Sequence, residues 1–208
     1  MFVRSALVVL AAVAALLGAL PGPAWVVRRP ESPAPARAAG ITITYRVDAV
    51  SRIARLGSDL AIGPGTLVAE IDLVEGTIVG DLWLPPAYGY FIVFGFVPNT
   101  ARTDLVPVGK VTGRIREGEI TAHSDLTIRL GEVTVDSQPL DVGQACETTA
   151  PAGVDLAGPF DLHVIRMKSV YTIPPFGGCR GREDLDPLMT GLVSGPDNLL
   201  DLTLTAQL

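Results

Sequence analysis

Histidine-based acid–base or nucleophilic chemistry in this chain must use His123 or His163, because the sequence holds two histidines in 208 residues. His123-Ser124-Asp125 sets the three residue types of a hydrolytic triad side by side. In a strand, His123 and Asp125 project from one face and Ser124 from the other, which keeps the hydroxyl away from the imidazole. The expectation is a polar, solvated strand face. Asp161 and His163 share a face at the same spacing and read as a structural pair. Paired carboxylates for glycoside hydrolysis could come from Asp72, Asp81 and Asp104, but their spacing in sequence defines no gap between them. Nucleophile-elbow, zinc-helix, P-loop and dinucleotide fingerprints are absent from the sequence. No catalytic residue and no cofactor are expected.

Zinc needs more soft ligands than two scattered histidines and two cysteines provide. Glu183, Asp184 and Asp186 could serve calcium, yet they lack the D-x-D-x-D-G pattern, and an acid-rich helix start accounts for them without metal. No metal site is expected. The state of Cys146 and Cys179 depends on compartment, which the N-terminus addresses. Arg4 supplies a positive start, and an uncharged Ala/Val/Leu-rich run follows from Ser5. This pattern predicts an export signal, with small-residue cleavage sites at Ala36-Arg37-Ala38 or Gly22-Pro23-Ala24. The uncharged run reaches Val27, long enough to remain as an uncleaved anchor if Pro21 and Pro23 are tolerated. Residues 1–38 are therefore read as signal and linker, and 39–208 as one β domain. Export to an oxidising compartment predicts a Cys146–Cys179 disulfide, worth roughly 3 to 4 kcal/mol on the chain-entropy model. The alternative is a pair of free buried thiols.

Such residues need elements to position them, and from Ile41 onward the dominant period is two. Ile41, Ile43, Tyr45 and Val47 alternate with Thr42, Thr44, Arg46 and Asp48. Leu67, Ala69, Ile71 and Leu73 turn at Glu75-Gly76 into Ile78, Gly80, Leu82 and Leu84, a predicted hairpin. A second hairpin is predicted to turn at Glu117-Gly118, its return strand carrying apolar residues on mixed faces. Further strands are expected at Tyr90–Val97, Glu132–Asp136, Phe160–Ile173 and Leu199–Ala206, and one short helix over Asp184–Val193, capped by Asp186 with Pro187 next. About nine to eleven strands without alternating helices predict an all-β fold, an antiparallel sandwich or closed barrel with one C-terminal helix. The uncharged aromatic stretch Leu82–Val97 reads as a central strand buried on both faces. Alternatively, one of its faces, with Tyr90, Phe94 and Phe96, lines a cavity for an apolar small molecule.

Hydrophobic residues make up 48% and charged residues 18%, and mean hydropathy is +0.40, which excludes disorder for the bulk of the chain. Formal net charge is −6. Removing residues 1–38 would take away four arginines and one glutamate, leaving about −9 and excluding nucleic acid as an electrostatic partner.

Tyr171-Thr-Ile-Pro-Pro-Phe176-Gly-Gly-Cys179, followed by Asp186-Pro-Leu-Met-Thr-Gly-Leu-Val-Ser-Gly-Pro-Asp-Asn198 and an alternating strand, resembles the C-terminal pattern of uncharacterised secreted β-rich actinobacterial envelope proteins. Asp197 departs from that pattern, which has glycine there. The resemblance implies an exported envelope protein with a Cys146–Cys179 bridge, and no activity. Similarity to bacterial polyisoprenoid-binding β-barrels is one of size and export only. The expected function is a non-enzymatic interaction or structural module of the envelope with an extracellular partner. The alternative is a carrier of a lipid or isoprenoid.

Overall fold

The computed structural model describes residues 40–207. The expected leader, its cleavage and the possible anchor lie outside the described residues. In chain order the elements are β1 (Ile41–Ile53), β2 (Ser58–Asp72), β3 (Thr77–Trp83), β4 (Ala87–Val93), β5 (Val97–Arg116), β6 (Glu119–Val135) and β7 (Gln138–Pro139). β8 (Glu147–Thr148), β9 (Ala152–Pro159), β10 (Val164–Ile173), β11 (Phe176–Gly177), α1 (Asp186–Val193) and β12 (Gly195–Ala206) follow.

Eight strands close on themselves in the order β6-β9-β10-β12-β1-β2-β3-β5, and β5 returns to β6. The fold is a closed antiparallel β-barrel, the second of the two expected architectures. Period-two patterning is the reason: Tyr45, Val47, Ala49, Ser51 and Ile53 of β1 point inward while Arg46, Val50 and Arg52 point out. Closure pairs both edges of these eight strands over most of their length, leaving unpaired the first half of β2 and the outer edge of β4. Both predicted hairpins form. Their turns lie together at one end, where Gly76, at φ 64°, accepts a 2.8 Å bond from the Ile115 amide. A Cβ on Gly76 would stand 2.5 Å from the Ile115 carbonyl oxygen, so glycine is required there. In β6 the apolar residues expected on mixed faces all point inward, as Ile120, Ala122, Ser124, Leu126 and Ile128 occupy alternate positions of one strand.

Two sequence expectations are corrected. Tyr90–Val97 is not one strand, because Phe94 (φ 55°) and Gly95 (φ 78°) adopt left-handed conformations and turn β4 into β5. Nor is the stretch buried on both faces: Tyr88, Tyr90 and Ile92 point outward and are exposed, and the turn residues Phe94 and Phe96 are more than 70% exposed. β3 and β4 follow one another along the same edge of β5, separated at Leu84-Pro85-Pro86, since proline cannot donate to a ladder.

Cys146 and Cys179 form the expected disulfide. It joins the loop after β7 to the segment before α1, which lies across the end of the barrel opposite the glutamate-glycine turns. α1 begins at Asp186 instead of Asp184. The Asp186 carboxylate lies in its first turn and accepts the Cys179 amide at 2.6 Å, so it does not cap the helix.

Candidate functional site

Barrel closure turns the inward faces of the strands into an interior, and side-chain size decides how much of it is filled. Toward the glutamate-glycine turns, Tyr45, Leu67, Ile71, Ile165, Met167 and Leu204 interlock and leave about 50 Å³. Toward α1 the inward positions include the small residues Ser51, Gly89, Ala101, Thr103 and Ala152, and a cavity of about 120 Å³ opens among them. Empty cavities that stay dry and accept a benzene-sized guest are about this large.

The cavity has apolar walls from Ile53, Leu60, Ile62, Phe91, Leu126 and Ile128, and α1 roofs it with Leu188, Met189, Leu192 and Val193. The roof is pinned at three points. Ser194 Oγ donates to the Pro174 carbonyl at 2.7 Å, Thr190 Oγ1 accepts the Phe176 amide at 2.9 Å, and the Arg55 guanidinium donates to the Gly191 carbonyl at 2.9 Å. Phe176 is buried and Tyr171 points inward, so both aromatic residues flanking Pro174-Pro175 pack into the barrel end.

Polar groups enter this cavity at few points. Ser51 Oγ and Tyr171 Oη, on strands separated by β12, share a hydrogen bond of 2.7 Å. Burial holds the Tyr171 phenol above its ordinary range, against the opposing effect of the Ser51 bond, so it is a neutral hydroxyl at physiological pH. Asn99 and Thr103 add two more buried polar side chains, the Asn99 amide donating to the Val97 carbonyl at 2.7 Å. Ser58 and Asp59 reach the cavity rim, where the Asp59 carboxylate is exposed and paired with Arg52 at 3.2 Å, and no carboxylate, lysine or arginine among the described residues is buried in the interior. The arrangement can enclose an uncharged, mostly hydrocarbon group and offer it one hydroxyl pair.

The residues expected to line a cavity are placed elsewhere. Tyr90 lies on the outer face of β4, and Phe94 and Phe96 in the turn beyond it. Phe91 and Val93, from the opposite face, line the cavity instead. A shift of one position along a strand exchanges the faces, and the run is aromatic or aliphatic at both parities, so alternation alone did not identify the inner one.

The polar candidates stand outside the barrel. His123 Nδ1 lies 2.7 Å from Asp155 Oδ1, and Nε2 lies 3.4 Å from Asp125. Ser124 points inward, so the three triad residue types do not converge. The Asp155 hydrogen bond, aided by Asp125, holds the His123 pKa above its ordinary value despite slight desolvation. His123 and Asp155 border an open outer groove of about 660 Å³ with Thr112 and Arg114. Asp161 accepts the His163 amide at 2.7 Å, closing the turn before β10. Asp81 pairs with Lys110 at 2.7 Å, Asp104 with Arg102 at 3.0 Å, and Asp72 accepts the Val74 and Glu75 amides. Each of the three carboxylates has its own local partner, and they do not gather in one cleft. Asp184 and Asp186 flank Arg180 at 3.3 and 3.5 Å. Comparison of the chain with family models, with curated proteins and with solved structures finds no match.

Proposed function

We propose that the protein is a non-catalytic, exported carrier of an uncharged, largely hydrocarbon ligand, of which the interior cavity holds one end. The observation that carries this reading is the uneven filling of the barrel. Ser51, Gly89, Ala101 and Ala152 leave about 120 Å³ open beneath α1, whereas the other half is packed with large side chains. A space of that kind accepts about six to eight heavy atoms, the size of a prenyl unit or a lipid chain end. The Ser51–Tyr171 pair supplies a neutral donor and acceptor for one hydroxyl or carbonyl. The disulfide supports an oxidising compartment.

Native mass spectrometry with lipid extraction, on protein purified from its own host, tests the reading. Bound mass of a few hundred daltons is expected, and Ala101→Phe, which projects a ring into the cavity, should abolish it while the fold is kept. Bare protein in both cases defeats the carrier reading. An interaction module of the envelope is the second reading, favoured by the exposed aromatic face of β4. It predicts bare protein and an extracellular partner captured through that face. A hydrolase would lose turnover in the His123→Ala/His163→Ala double variant, and unchanged turnover removes that reading.

A further inference from the structure

The barrel wall has a seam beside the cavity. β4 forms its ladder with β5 alone, and the first half of β2, Ser58–Gly65, forms its ladder with β1 alone, so no ladder joins β2 to β4 where they run side by side. Leu60 fills the space between them: its Cδ1 would stand 3.2 Å from a Cβ on Gly89. Ser58 and Leu60 on one side of the seam, and Gly89 and Phe91 on the other, line the cavity. Side chains close this seam, and rotamer changes can open it without breaking a sheet hydrogen bond.

The outer surface next to the seam is unlike the rest of the barrel. Trp83, Tyr88, Tyr90, Phe94 and Phe96 are each at least 60% exposed, and Ile92 lies among them. No charged residue occurs from Leu82 to Ala101, in a chain of net charge −6. Tyrosine and tryptophan beside phenylalanine form the composition that settles at the boundary between headgroups and acyl chains. The turn stands free in solvent, with Phe94 and Phe96 more than 70% exposed and nothing within 4 Å of a Cβ on Gly95. A protruding apolar turn inserts into a deformable bilayer, whereas a second copy of the chain would need a matching hollow. The flanking cations, Arg102 opposite Tyr88 and Lys110 near Trp83, are paired with Asp104 and Glu132 and with Asp81, so the surface suits zwitterionic lipid and gains little from anionic lipid.

Resting on the carrier reading, we propose that the seam between β2 and β4 is the portal through which ligand passes, and that the aromatic face of β4 seats this portal against a zwitterionic bilayer. Ligand then moves between membrane and cavity without crossing water.

The test uses the full chain carrying Trp25→Phe, so that Trp83 is the sole indole, with phosphatidylcholine vesicles whose acyl chains are either plain or brominated. Trp83 emission should shift to the blue and be quenched by the brominated lipid. Phe94→Asn/Phe96→Ser should cut the quenching of Trp83 by about tenfold at saturating lipid, even where the N-terminal apolar run keeps the chain on the vesicle, with the melting temperature kept. Geraniol, a neutral isoprenoid alcohol, serves as ligand. Its uptake from vesicles should slow by about tenfold in the double variant, whereas its equilibrium affinity from buffer should not change. Unquenched Trp83 overturns the docking. A blue shift that grows with protein concentration in the absence of vesicles, together with a doubled mass, assigns the face to a second copy and overturns it as well. Equal uptake from vesicles by both proteins overturns the portal. Geraniol left unbound by the parent chain from either source, with Trp83 still quenched, defeats the carrier reading and the portal while the docking stands.

Discussion

His123 sits between two carboxylates on the outer wall, and its titration reports that placement directly. Its pKa is raised first by the Asp155 hydrogen bond and then by Asp125. The imidazole should therefore titrate above 6.5 by NMR, and Asp155→Asn should bring the midpoint down. Because the folded value is the higher one, the interaction adds stability below the unfolded value near 6.5 and loses it as pH rises through the folded value. The exposure of the pair keeps that contribution small. Asn198 is a different case. Its side chain accepts the Ala54 amide at 3.0 Å and donates to the Tyr171 and Gly195 carbonyls at 3.2 and 2.8 Å, from a site 1% exposed. Asn198→Ala leaves these groups without partners in the interior and should cost about 2 to 4 kcal/mol in chemical denaturation. Its neighbour Asp197 stands at φ 65°, which is why a glycine suits that position. Asp197→Gly should raise stability by about 0.5 to 1 kcal/mol, measured in the same experiment.

Among elements, the pieces with local chemistry were the legible ones. The turns at Glu75-Gly76 and Glu117-Gly118 are marked by glycine between alternating runs, and both lie where the sequence puts them. β5 was not legible as one strand of 20 residues. Pro107, Gly109 and Lys110 interrupt its alternation where the register with β6 shifts between Val108 and Thr112, and its start is hidden behind the Phe94-Gly95-Phe96 turn. The helix was legible from Asp186-Pro187, but its role as a roof depends on contacts with strands distant in sequence. The disulfide, closing a separation of 33 residues, holds the segment that leads into that roof. Replacing both cysteines by serine should therefore lower stability by about 3 kcal/mol. It should also loosen α1, so that amide exchange rises first over residues 186–193, before the barrel strands.

At the scale of the whole molecule, closure was beyond the sequence. It depends on β1 pairing with β12 and β5 with β6 and β3 together, and alternation specifies an inner face without saying whether the sheet curls onto itself or meets a second sheet. The cavity was illegible for the same reason, since Ser51, Gly89, Ala101 and Ala152 come from four strands and become neighbours only once the barrel has closed. Their shared smallness means something only in that context. The two halves of the barrel should then answer one substitution with opposite signs. Ala101→Leu places three more carbons into about 120 Å³ and should raise stability by about 1 kcal/mol while displacing ligand. Ala69→Leu places the same carbons where only about 50 Å³ remains and where Gly80 already lies against Leu67, so it should cost about 1 to 3 kcal/mol. Urea unfolding of the two variants beside the parent decides the matter. If both are destabilised alike, the space beneath α1 is not a void that a side chain can fill, and the carrier reading loses its cavity.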